Sequence, residues 1–532
     1  VIRFAALLSV LLLGAAPIQG ARGLDFDANR LSEHVRILSS DQFEGRGPGQ
    51  PGETKTVEYL AGQFATLGLE PGGPDGGWFQ TVMLHRFTQD GTPSLSVSIA
   101  GRDWPIVYGN QALVGPQRAA GASVADAAMV FVGFGVHAPE LGWDDYKGVD
   151  LRGKIAVMLA NDPDFDATAS GRFGGEAMSV HGDWTHKYLE VTRRGAVGMV
   201  WVHDTASAGF DWPALQGFWT SPQLDIVRPA AETDVAPITG WLRGDTAAAL
   251  FAAAGLDLKT QSLRARSRSF QPVTLPRTRL SISYRVKREV RVSRNVIARL
   301  PGARHPGESV LYGAHWDHLG RGEPQADGDD IYNGALDNAS GLAGLLELAR
   351  LFAAGERPGR SIVFIAFTGE ETGLLGSAWY AAHSAFPLET TAGGVNIDGL
   401  PIIAPSDMKV SFGLSDLQDI LARASARQGR RILPPSPWKG GAYARSDHYS
   451  LAQAGLPMLF AGSRVAGRDY FEKRYHQPDD EWSPDWDWSG AIADLQLYRA
   501  VGLELANSRR WPRWWPGAEF GAIRDRSAAA RR

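Results

Sequence analysis

Ser309–His318 reads SVLYGAHWDH, and this stretch decides the fold. Its first six residues form a short, nearly apolar run, the pattern of a strand covered on both faces. Two histidines and an aspartate then fall within four positions, His315, Asp317 and His318. The same kind of run recurs on either side, as RNVIARL at Arg294–Leu300, RSIVFIAF at Arg360–Phe367, GVNID at Gly394–Asp398 and GLPMLFAG at Gly455–Gly462. Between them SGLAGLLELARLFAAG carries Leu342, Leu345, Leu346 and Ala349 at helical spacing, with Ser340 placed as an N-cap. Strands alternating with helices predict an α/β fold, with a mixed, mostly parallel central sheet flanked by helices.

The remainder of the chain sets limits. At 532 residues it is long enough for about three domains. A net charge of -4 gives no electrostatic reason to expect nucleic acid or an anionic membrane as partner. Arg3 precedes FAALLSVLLLGAAPIQGARG, which reads as an export signal over residues 1–23. Its apolar core is shorter than the roughly 20 residues needed to span a bilayer, so a secreted or periplasmic protein without stable membrane insertion is expected. There are no cysteines. A zinc site would therefore use His, Asp and Glu, the catalytic style rather than the thiolate-rich structural one. Residues 26–70 read as helices, and residues from about 110 to 275 as a separate unit of short Val/Ile-rich strands. Nothing in the sequence fixes an oligomeric state.

Ligands of open α/β sheets gather at the carboxyl ends of the strands. HWDH follows one strand, TGEETG (368–373) another, Asp398 ends a third, and ARSDHYS (444–450) precedes a fourth. GALDNASG (334–341) and YHQPDD (475–480) complete the set. Each has an ordinary reading: an Asx-turn for Asp337, a helix-dipole partner for Glu370–Glu371, an exposed loop residue for His476. Together, two histidines and several carboxylates at the strand ends of one sheet are what a binuclear zinc site requires. Residues i and i+2 of extended chain point the same way, so Asp317 is placed to fix the imidazole of a metal-binding His315. The neighbours Glu370 and Glu371 point apart, which lets one ligate while the other handles a proton.

HWDHLG, GALDNASGLAGLLELAR, FTGEETGLLGS, NIDG, YARSDHYS and YHQPDD stand in the order seen in the M28 family of co-catalytic di-zinc peptidases, which the chain resembles over about residues 285–505. VFVGFGVHAPELGWDDYKGVDLRGKIAVML resembles the protease-associated (PA) domain often inserted in these enzymes. The resemblance implies the zinc-exopeptidase, phosphorylase/hydrolase-like fold. Its parts would be 24–110 and 276–510 for the peptidase domain, 111–275 for a β-rich PA insert, and 511–532 for a C-terminal strap and tail. It implies two zinc ions per chain. His315 and Asp398 would hold one, Glu371 and His476 the other, and Asp337 would bridge them. Glu370 matches the general base and Asp317 the partner of the first histidine. Tyr443 matches a tyrosine that bonds the tetrahedral intermediate, with Tyr475 competing for that role. His448 is not expected to be a ligand, and His318 is expected to be a loop or rim residue. The implied activity is a secreted aminopeptidase acting on peptides. A carboxypeptidase or dipeptidase of the same family, a glutaminyl-cyclase-like transferase and a non-catalytic binding protein are the alternatives. Arg445 and Arg464 are candidate carboxylate binders beside a plainer role as solvated loop arginines.

Overall fold

The computed structural model describes residues 25–531 except 116–120, 168–170, 174–178, 228–235, 323, 326–327, 411–414, 434–441, 517, 519 and 528–530. The export signal expected over 1–23 lies outside the described residues. Among the described residues no helix is long and apolar enough to cross a membrane.

The first sheet is built from β1 (Phe79–Gln89), β2 (Gln223–Ile226), β3 (Val286–Leu300), β4 (His305–His315), β5 (Arg360–Phe367), β6 (Thr391–Asn396), β7 (Lys409–Val410) and β8 (Met458–Gly462), in the spatial order β2-β1-β3-β5-β4-β6-β8-β7. The central strands β5, β4, β6 and β8 run parallel, and antiparallel strands extend the sheet at both edges. His315 pairs with Phe367 and Gly313 with Asn396, so these strands end side by side.

Strand periodicity divides β5 between two cores. Ile362, Phe364 and Ala366 face one cluster, which takes in α1 (Ala28–Leu38), α2 (Pro51–Thr66), α3 (Ser340–Ala354) and α7 (Ser489–Asn507). Val363, Ile365 and Phe367 face the other, beneath α4 (Leu375–Ala382) and α6 (His448–Gln453). The helix α5 (Leu417–Arg427) packs on α7 through Leu417 and Leu421. Covered on both faces, β5 is buried at all eight positions, which is why its sequence shows no alternation.

The helix α3 begins at Ser340, but Ser340 is not its N-cap. The chain enters from the irregular turn Ala335–Ala339, which already supplies helix-like bonds. The Ser340 hydroxyl instead donates to Leu336 O at 2.7 Å and accepts from Leu400 N at 2.9 Å, joining two loops of the site.

A second sheet has the order Arg102–Trp104, Ser94–Ile99, Val273–Tyr284, Ala122–Phe131, Ile155–Leu159, Gly198–His203, Ile238–Arg243, Ala112–Gly115. Its membership runs past the 111–275 window at both ends, and β2, inside that window, pairs with β1 of the first sheet. The passage between sheets is narrow. Only Arg285 separates Val273–Tyr284 from β3, Asp90 N donates to Arg285 O at 2.9 Å, and Gln89 pairs with Val286. The C-terminal tail carries the short helix Gly521–Arg526. Its buried Arg524 donates to Leu388 O, Thr391 O and Ala392 O, which pins the tail under β6.

Candidate metal centre

Three loops leave the carboxyl edge of the parallel strands, and the turn before α3 and the segment around His476 close over them. His315, the last residue of β4, is buried. Its Nδ1 lies 3.0 Å from Asp317 O and 3.8 Å from Asp317 Oδ1. The main-chain oxygen, rather than the expected carboxylate, therefore holds the imidazole. The chain has left strand geometry by Asp317, and the carboxylate turns to the next loop, accepting from Glu370 N at 3.1 Å and Glu371 N at 3.3 Å. Asp317 thus sets the backbone of the two glutamates.

With Nδ1 committed, His315 Nε2 points to Asp398 Oδ1 at 3.2 Å and Asp337 Oδ1 at 3.3 Å. His476 Nε2 lies 3.1 Å from Asp337 Oδ2 and 3.1 Å from Glu371 Oε2. Asp337 therefore offers one oxygen to each histidine. His315 with Asp337 and Asp398, and His315 with Glu370 and Glu371, each have ligand atoms within 4.8 Å of one another. The structure brings His315, Asp337, Glu370, Glu371, Asp398 and His476 into one cluster.

The electrostatics fit cations. Asp317, Asp337, Glu370, Glu371, Asp398, Asp447 and Asp480 crowd around His315, His318, His476 and Arg46, an excess of acid that a largely water-free site does not tolerate without positive charge. All the donors are imidazole nitrogens and carboxylate oxygens, a set that suits zinc.

The two adjacent glutamates are driven apart. Burial pushes Glu370 well above the usual carboxylate range, reinforced by the Asp398, Glu371 and Asp447 charges. For Glu371, burial and Asp337 oppose ionisation, but His476 and His318 outweigh them and bring its pKa down to about 2. Neighbouring carboxyls with opposed pKa values are the mark of divided acid–base roles.

Residues outside the expected set hold the loops in place. Arg46, fully buried, donates to Trp316 O at 2.9 Å, Asn333 O at 2.6 Å, Gly334 O at 2.8 Å and Leu38 O at 2.9 Å, tying the His315 and Asp337 loops to α1. Asp480 accepts from Leu336 N and Asp337 N at 3.1 Å each, and from Tyr470 Oη at 3.0 Å. Asn338 donates to Ile397 O at 3.0 Å and accepts from Gly399 N at 2.9 Å, linking the Asp337 loop to the Asp398 loop. Their sequence signals were faint: an arginine between glycines in EGRG, the residue after Asp337, and the last acid of YHQPDD.

His318 is a correction. It is fully buried rather than at the rim, because residues 331–334 and Arg46 close over it, and its Nδ1 lies 2.6 Å from Glu371 Oε1. His448 is buried too and stacks on Phe460 at 4.4 Å. Tyr443 falls in the short turn Ala442–Arg445, and its side chain lies outside the described residues. The Tyr475 ring stacks on His476 at 3.9 Å, and burial beside Asp337 and Glu371 raises its pKa, so the phenol keeps its proton to donate.

Residues 295–500 match the sequence model of Peptidase family M28. A "Probable zinc metalloprotease" of Pyricularia oryzae is 39% identical over 109 residues, 20% of this chain and 21% of that protein. Aminopeptidase NAALADL1 of Mus musculus is 34% identical over 125 residues, 22% of this chain and 15% of that protein. The matches span 21% and 15% of these relatives' length. The solved aminopeptidase from Aneurinibacillus sp. strain AM-1 shares the fold, with a TM-score of 0.51 at 19% identity over 91% of this chain and 95% of that one. The segment that builds the acidic centre, residues 295–500, is thus the one that matches peptidase family M28.

Proposed function

We propose that the protein is a zinc-dependent exopeptidase that removes N-terminal residues from peptides. The observation that carries this reading is Asp337, whose two oxygens each face a different histidine, as a carboxylate shared by two cations must. His315 and Asp398 would hold one zinc, Glu371 and His476 the other, and Asp337 both. When bound, the pair supplies Lewis-acid charge that polarises the scissile carbonyl and makes a water acidic near neutral pH. Glu370 then takes the proton from the attacking water and returns it to the leaving amine as the C–N bond breaks. Tyr443 or Tyr475 donates a hydrogen bond to the developing oxyanion. Asp317 acts through the backbone of the two glutamates.

The second sheet is read as a PA-type insert that shapes access to the centre; its position in the chain between β1 and β3 supports this. Export through residues 1–23 belongs to the same reading and rests on the sequence.

The test is a panel of fluorogenic substrates with free or acyl-blocked N-termini, assayed with and without a chelator. Turnover of the free aminoacyl substrates, abolished by the chelator and restored by zinc, is expected. Preference for the blocked substrates would overturn the aminopeptidase assignment, and indifference to the chelator would overturn the metal.

Zinc uptake should also release protons. Burial opposes a charge on His476, but Glu371 and Asp337 outweigh it and push its pKa up to about 10. At pH 7 the metal-free imidazole is therefore protonated, and a metal needs its lone pair. Loading at that pH expels the proton, and lowering the pH favours protons over zinc. Titrating zinc into weakly buffered apoprotein with an indicator dye should show acidification, and zinc affinity should fall from pH 8 to pH 6. A flat indicator trace would contradict this assignment of His476.

A further inference from the structure

We propose that His318 is the positioning residue for Glu371 and sets how tightly the second zinc is held; this rests on the metal reading above. Ionised, a carboxylate only accepts hydrogen bonds, so at 2.6 Å His318 Nδ1 must carry the proton and donate it to Glu371 Oε1. That contact divides the glutamate. Oε1 is committed to His318, and Oε2 is left 3.1 Å from His476 Nε2, facing the donor cluster.

The imidazole has little freedom to do anything else. Its ring packs edge-on against His476 with centroids 5.6 Å apart. Gly334, with φ +57, lies on its other side, and a Cβ there would fall 2.5 Å from His318 Cγ. A freely rotating glutamate would have to be ordered each time a cation is bound, so the clamp lowers the entropic cost of binding. Residues that orient a metal-bound group in this way typically change metal affinity by about 10–100-fold when removed. His318 also falls with Asp337 and Glu371 in a group whose ligand atoms lie within 4.8 Å of one another. Because its Nδ1 is paired with Glu371 Oε1, it is assigned as an orienter rather than a ligand, and the zinc measurements below separate the two roles.

Zinc content, not activity, tests this. Wild-type protein, His318→Ala, His318→Asn and His476→Ala are dialysed to equilibrium against zinc buffered by graded chelator, and zinc per chain is measured by mass spectrometry. The wild type should hold two zinc ions. His318→Ala should keep the first at wild-type affinity and bind the second about 10–100-fold more weakly. His318→Asn, whose amide nitrogen falls near the position of Nδ1, should fold as the wild type does and recover most of that loss. Wild-type affinity at both sites in His318→Ala overturns the proposal. Loss of the second zinc as complete as in His476→Ala, with no recovery in His318→Asn, also overturns it and makes His318 a ligand. A wild-type protein that takes up no zinc fails at the metal reading itself, a result distinct from either.

Discussion

Asp337→Ala should empty both halves of the centre at once. Among the described residues Asp337 alone makes a short contact to both histidines, with Oδ1 at 3.3 Å from His315 and Oδ2 at 3.1 Å from His476. Burial opposes its charge, but hydrogen bonds from His315 and His476 hold it well below the usual carboxylate range. Removing it leaves two imidazoles aimed at a void and takes away the charge that keeps two cations close together. The loss should exceed the roughly 10–100-fold cost of changing an orienting residue, and it should appear in the first and the second zinc alike. Zinc per chain at micromolar free zinc checks this. One zinc retained at wild-type affinity would show that Asp337 serves a single ion.

Glu370→Gln should do the opposite: keep the metal and lose the turnover. Glu370 makes none of the short contacts to His315 Nε2 or His476 Nε2 that Asp337, Glu371 and Asp398 make. Its backbone N–H remains tied to Asp317, so the loop should stay in place. Glutamine preserves shape and hydrogen bonding but cannot accept and return a proton. General acid–base catalysis contributes on the order of 10²–10⁴-fold, and kcat should fall by about that factor with two zinc ions still bound. A residual kcat within tenfold of the wild type would remove Glu370 from the proton path. A loss of zinc would make it a ligand.

The strands were legible because burial on both faces writes itself into composition, as in RSIVFIAF. The polar residues just beyond them were legible because parallel strands deliver their carboxyl ends to one edge. What stayed hidden depended on tertiary closure. His318 looks like a loop residue until Arg46, far away in the chain, pulls the Asn333–Gly334 carbonyls over it. The role of Asp317 was misjudged because spacing of i and i+2 assumes the strand continues, and it does not. Ser340 matched an N-cap by residue type, but the turn before it had already begun the helix. The reach of the second sheet was hidden because Ser94–Ile99 finds its partner some 180 residues later, at Thr278–Ser283, and no local pattern encodes that pairing.

The crossing at Asp90 and Arg285 bears on how such a chain could be assembled from parts. The two connections leave the first sheet as neighbouring antiparallel strands in register, Gln89 opposite Val286. A short turn joining those positions would close β1 and β3 into an ordinary hairpin without breaking one rung of their ladder. Among the described residues the scars would lie at Gln89, which bonds Tyr108 and Val114, and at the sheet edge, where Ile226 of β2 now shelters Val82, Leu84 and Leu375. The first sheet keeps its own core on both faces whichever way those two strands are joined.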